Sequence, residues 1–91
     1  MSCSRWRRIE MGGTGLWRYG LVRRCTNVAG YPLWTLSVKP LLKPQNGNRF
    51  AASVYDDAQG LTKDSGFFPT EAAARHYADD RLRYWRRRMG G

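Results

Sequence analysis

A chain of 91 residues with 42% hydrophobic and 25% charged content has the length of one small domain and the composition of a globular one. That excludes wholesale disorder and leaves little core in which to build a deep, water-free active site. Sixteen cations stand against seven acids, a net charge of +9 that costs folding energy through self-repulsion and points to an anionic partner.

The charge is unevenly placed. Residues 1–25 carry six arginines against Glu10, a net +5, and residues 26–48 add Lys39 and Lys43. Residues 49–80 are acidic at −3, and residues 81–91 return to +5 through five arginines. Thirteen of the sixteen cations are arginine, whose planar fork matches phosphate oxygens in a way lysine does not.

In chain order, residues 1–14 read as a flexible basic arm, with Trp6 among Arg5, Arg7 and Arg8 docking on a partner or on the fold. Residues 15–91 read as a single sheet-plus-helix domain. Gly13-Thr14-Gly15 is a fragment of a glycine-rich loop without the preceding strand or third glycine of a phosphate cradle. A strand is predicted over Leu16–Cys25, with Trp17, Tyr19, Leu21 and Arg23 on one face and Leu16, Arg18, Val22 and Arg24 on the other. Asn27 to Pro32 is a loop. Leu33–Leu42 is a second strand with Trp34, Leu36, Val38 and Leu42 in step and Thr35, Ser37 and Lys39 opposite; Pro40 makes it an edge strand or places a bulge there.

Asn46-Gly47 accepts the two positive φ angles of a type I′ hairpin turn. Arg49–Tyr55 follows, with Phe50, Ala52 and Val54 apolar and Arg49, Ala51, Ser53 and Tyr55 on the other side. Asp56, Asp57 and Gly60 turn the chain into a last strand, Leu61–Phe68. Thr70 caps a helix whose stripe is Ala74, Tyr77, Ala78, Leu82, Trp85 and Met89, and Gly90-Gly91 stops it. Arg83, Arg86 and Arg87 fall away from that stripe. The fold class is therefore α+β: a three- to four-stranded antiparallel meander with one long C-terminal helix packed on one face.

No apolar run reaches the length of a membrane span and no secretory signal is visible. Two cysteines do not make a disulfide framework, so reduced thiols in the cytoplasm are expected, with a Cys3–Cys25 bridge as the alternative. No cofactor or metal site is expected. His76, beside Asp79 and Asp80, reads as a solvated helix face, and the acidic pairs 56–57 and 79–80 as turn and helix-surface residues, so no catalytic residue is assigned.

Residues 49–56, Arg-Phe-Ala-Ala-Ser-Val-Tyr-Asp, and 65–78, Ser-Gly-Phe-Phe-Pro-Thr-Glu-Ala-Ala-Ala-Arg-His-Tyr-Ala, resemble the AP2-type DNA-binding domain. Gly66, Phe68, Thr70, Ala73, Ala74 and Tyr77 fall in step with it, and the likeness covers about residues 36–82. Related domains occur in phage integrases and mobile-element nucleases. The resemblance implies a three-stranded sheet with a C-terminal helix that reads the DNA major groove with Arg and Trp on the open sheet face. Here Ser53 and Tyr55 stand where the family places charged contacts, and Asp64 where it often has an aromatic.

The expected function is nucleic-acid binding, DNA in preference to RNA. Arg18, Arg23, Arg24, Lys39, Lys43, Arg49 and Tyr55 would lie on the duplex, with Arg5, Arg7, Arg8, Arg83, Arg86 and Arg87 holding phosphates. The alternative is a protein-interaction module of a phage or mobile element, docking the same cations and its tryptophans on an acidic surface of a host complex.

Overall fold

The structure, a computed structural model, describes residues 1–10 and 19–88. The Gly13–Gly15 fragment, the predicted strand start with Leu16, Trp17 and Arg18, and Met89, Gly90 and Gly91 lie outside the described residues. Among the described residues there are six strands: β1 (Ser2–Cys3), β2 (Arg7–Glu10), β3 (Tyr19–Thr26), β4 (Pro32–Gln45), β5 (Asn48–Asp56) and β6 (Leu61–Phe68). One helix follows, α1 (Glu71–Arg88).

β3 to β6 form the expected antiparallel meander. The sheet has more strands than the three or four predicted, and the extra pairing comes from the segment read as a free arm. β1 and β2 both pair along the outer edge of β3, Cys3 opposite Cys25 and Arg7 opposite Val22. The register gains one residue between them, so they act as a single edge strand broken by a bulge at residues 4–6. A bulge re-aims side chains, and this one turns Trp6 toward the helix, where its Nε1 donates to Asp79 Oδ2 at 3.2 Å. Ser4 closes the break by donating its backbone N–H to Arg24 O at 2.8 Å and accepting the Arg24 N–H on its Oγ at 3.1 Å.

The expectation of reduced thiols is also corrected, because Cys3 and Cys25 are joined in a disulfide. Their cross-strand pairing brings them together, and it was hidden while residues 1–14 counted as an arm. Closing a loop with a sequence separation of 22 stabilises the fold by about 3 kcal/mol through the unfolded chain. Disulfides persist in oxidising compartments, so the thiol argument for the cytoplasm loses its basis.

The turn chemistry is local and legible. Asn46 (φ 52°) and Gly47 (φ 82°) adopt the two left-handed conformations of the β4–β5 hairpin. Thr70 Oγ1 accepts the N–H of Ala73 at 3.1 Å and opens the helix. Pro40 lies in a central strand, not an edge; its lost donor is accommodated by a register shift between Pro40 and Gln45. Beyond that shift Leu42 leaves the apolar row and is exposed.

α1 lies across β4, β5 and β6. Leu36, Val38, Ala52 and Val54 meet Ala74, Ala78 and Leu82 in the core. Small alanines let the helix approach closely, and each fully buried Leu or Val contributes about 2 kcal/mol. Gly66 permits the same closeness on β6: a Cβ there would stand 3.1 Å from the Phe68 ring, which packs on Tyr77 at 4.7 Å between centroids. Among the described residues no helix is long and apolar enough to cross a membrane.

Candidate functional site

Alternation along paired strands divides the sheet into two faces with different chemistry. The face under α1 holds the core and also several charged groups. Asp79 Oδ1 accepts Arg23 Nη1 at 2.7 Å while its other oxygen takes the Trp6 indole. Asp64 Oδ2 accepts Arg81 Nε at 2.7 Å and Trp85 Nε1 at 2.6 Å. Burial works to raise the Asp64 carboxyl, but the hydrogen bonds from Arg81 and Trp85 outweigh it and hold the group below its ordinary range. Burial and the Asp64 charge together push the Tyr77 hydroxyl up. The helix is thus clamped on both flanks by a carboxylate that receives one arginine and one indole. Further out, Arg8 lies over the Tyr19 ring and pairs with Glu10, and Lys63 lies over Trp85.

The opposite, open face is built in rows. Arg24, Thr35, Tyr55 and Thr62 stand side by side across β3 to β6. The next row is Arg7, Val22, Ser37, Ser53 and Ser65. Lys39, Ala51 and Phe67 follow, with Gly20 beside Lys39. A Cβ at Gly20 would make only ordinary contacts, 3.7 Å from the Lys39 Cγ and 3.9 Å from an Ile9 methylene. Arg49 precedes Ala51 on the same face and is exposed. The centre is therefore a shallow floor of small and hydroxyl-bearing side chains, tied by a Ser37–Ser53 hydrogen bond of 2.6 Å. Among the described residues, only Asp57 brings a carboxylate to its margin, and Thr35 Oγ1 donates to it at 2.7 Å.

Of the residues expected to contact a partner, the structure thus places Arg24, Lys39, Arg49 and Tyr55 on one face, and sets Arg7 of the predicted arm on the same face. It removes Arg23, whose guanidinium points to the helix side and is held by Asp79 and by Ser4 O at 3.0 Å. Arg18 lies outside the described residues. Lys43 is exposed on β4 beyond the Pro40 irregularity, near the hairpin tip.

Arg83, Arg86 and Arg87 sit on α1, on the far side of the sheet, and Arg83 pairs with Asp80. The surplus cations of the two chain ends therefore do not converge on one surface. The last-turn arginines instead complement the negative end of the helix dipole.

Arg7 stands in the sheet and not in a flexible arm, because β2 pairs with β3. The usable signal was the Cys3–Cys25 pair, which fixes the register of everything between them and the break.

His76 Nε2 stands 3.1 Å from Asp80 Oδ2 on an exposed helix surface. Among the described residues no group of three or more His, Cys, Asp or Glu side chains is placed to hold a metal ion. No family model, curated protein or solved structure matches the chain.

Proposed function

We propose that the chain binds nucleic acid, DNA in preference to RNA, by laying its open sheet face on the phosphate backbone, with no catalytic step. The observation that carries this reading is the open face itself. Arg7, Arg24 and Arg49 stand on it with no carboxylate partner among the described residues, around a floor of serine, threonine and alanine flanked by the exposed Tyr55 and Phe67 rings. Lys39 shares the face. The preference for DNA rests on the AP2-type resemblance alone, and the positions that carry it, Gly66, Phe68, Thr70, Ala74 and Tyr77, serve packing and capping here. They speak for architecture, and architecture does not fix function.

Size limits the mode of binding. Five strands abreast span about 19 Å at ~4.8 Å per spacing. A major groove is about 12 Å wide, so the whole face cannot enter it. The short hydroxyl side chains at the centre also reach too little to read base edges from above the groove. Cations at the margins meet phosphates instead, which positions a protein without specifying sequence. Weak sequence dependence is therefore part of the reading.

Titration of labelled duplex, single strand and RNA at two salt concentrations tests it. Three phosphates neutralised give a slope of log affinity on log salt near −3, from about 0.9 per contact. The paired reversal of Arg24→Glu with Arg49→Glu should lower duplex affinity by on the order of 100-fold. An affinity indifferent to salt and to that reversal removes the proposal. Should the purified protein then elute with an acidic protein after nuclease treatment, the interaction-module reading takes its place.

A further inference from the structure

The open face is not uniformly flat. Where the edge strand breaks between β1 and β2, a half-open cavity of about 430 Å³ lies against β3. Arg7 and Arg24 line it, together with Ser2, Ser4 and Thr26, and Ile9 and Val22 make its apolar part. Arg7 stands opposite Val22, and Arg24 is two residues further along β3 on the same face. Such diagonal neighbours are about 7–8 Å apart at their Cα atoms. Two arginine arms at that spacing can close on one group from both sides.

Neither guanidinium has a carboxylate partner among the described residues, so their mutual repulsion is uncompensated within the fold. Among the described residues, the other open-face arginine is Arg49, on β5 with two strands between it and the edge strand. At the cleft two arginines line one concavity. Its volume falls at the lower end of the range of small-ligand sites, large enough for one nucleotide-sized body and too small for a stretch of strand.

From this juxtaposition we propose that the cleft binds a single terminal phosphate, a phosphomonoester, carried on a nucleoside-sized body. A phosphomonoester carries between about −1.5 and −2 near neutral pH, against −1 for each diester inside a strand, so two arginines on one group match an end and over-match an interior. The apolar wall of Ile9 and Val22 suits the face of a base. The same chemistry comes from a free mononucleotide or from the end of a strand. This goes beyond backbone binding by the open face, and the two can fail separately.

The probes are AMP, and one single-stranded oligonucleotide in three forms: 5′-phosphorylated, 3′-phosphorylated and with neither phosphate. AMP is followed by backbone amide shifts, and the strands by fluorescence anisotropy. The expected result is AMP-induced shifts at Arg7, Val22, Arg24 and Thr26, or a phosphorylated strand bound about tenfold tighter than the unphosphorylated one, the effect of one added charge-assisted contact. Shifts with AMP alone identify the free nucleotide as the source, and an end preference identifies the strand.

Arg7→Gln and Arg24→Gln each abolish the preference, whatever they do to the affinity of the unphosphorylated strand. Both side chains are exposed, so the variants keep the fold. If AMP moves no cleft amide and the three strands bind alike, the cleft proposal is overturned while open-face binding stands. If AMP moves the cleft amides and no strand or duplex binds, the open-face reading falls and the cleft survives.

Discussion

The two faces of this sheet use the same residue types to opposite ends. Under the helix, the cations that reach the sheet are met by acids or rings: Arg23 by Asp79, Arg81 by Asp64, Arg8 by Glu10 and Tyr19, and Lys63 by Trp85. On the open face Arg7, Arg24 and Arg49 share their surface with serine, threonine, valine and alanine and with the exposed Tyr55 and Phe67 rings. On the first face these cations are held within the fold, although the buried Asp56 keeps one carboxylate oxygen without a hydrogen-bond partner. The second carries repulsion that its own packing does not require, because Leu36, Val38 and Val54 and the helix already bury the core on the other side. Charge that a fold retains without using internally is charge available to a partner.

The contrast is broken most severely by mutations of matched sheet positions. Leu36→Ala removes a fully buried side chain from the helix face and should cost about 3 kcal/mol. Ser65→Ala, on the exposed row opposite, should stay within about 0.5 kcal/mol. Urea denaturation with an unchanged slope checks both. Comparable losses would show that the open face is a structural surface in its own right.

The clamps come next. Asp64→Ala deprives the Arg81 guanidinium and the half-buried Trp85 indole of their shared acceptor, which should cost about 2 kcal/mol. The direction with pH follows from the lowered carboxyl. Its folded-state value lies below the ordinary 3.8, so the contribution is complete above that pH and is lost as pH falls through the lowered value. Denaturation curves of wild type and Asp64→Ala should therefore draw together below pH 3.8. A gap that stays constant into acid would mean that the clamp holds the helix through shape alone.

The meander, the hairpin at Asn46-Gly47, the Thr70 cap and the helix stripe were legible because each depends on neighbours in sequence: a turn dipeptide, a cap, a period of two or of 3.6. The edge strand was not, because Arg7-Arg8-Ile9-Glu10 has no apolar face of its own and is placed by its pairing with Tyr19 to Val22. Arg23 was misplaced for a related reason. Strand alternation correctly put it in step with Tyr19 and Leu21, but a charged residue on an apolar row reads as a surface residue until its carboxylate is seen, and Asp79 lies 56 residues further on. Asp64 interrupted the expected family pattern for the same kind of reason: it serves the helix, and no local signal announces that.

The smallest expected effect is the one that best separates a located interface from a generally basic protein. Arg86→Ala with Arg87→Ala removes two charges from the far side of α1, and Arg24→Ala with Arg49→Ala removes two from the open face. A helix is about 10 Å across, and at physiological ionic strength the Debye length is about 8 Å. The helix arginines are therefore screened from a duplex on the open face, and their loss should change affinity less than about twofold at 0.15 M salt. The open-face pair should cost roughly threefold per contact, less than reversal of the same two charges, and reduce the salt slope by about two. At 0.01 M salt the Debye length grows to about 30 Å, and the helix pair should begin to count. Equal losses from the two pairs at 0.15 M would mean that the polyanion is held by total charge, and the division between the faces would carry no functional meaning.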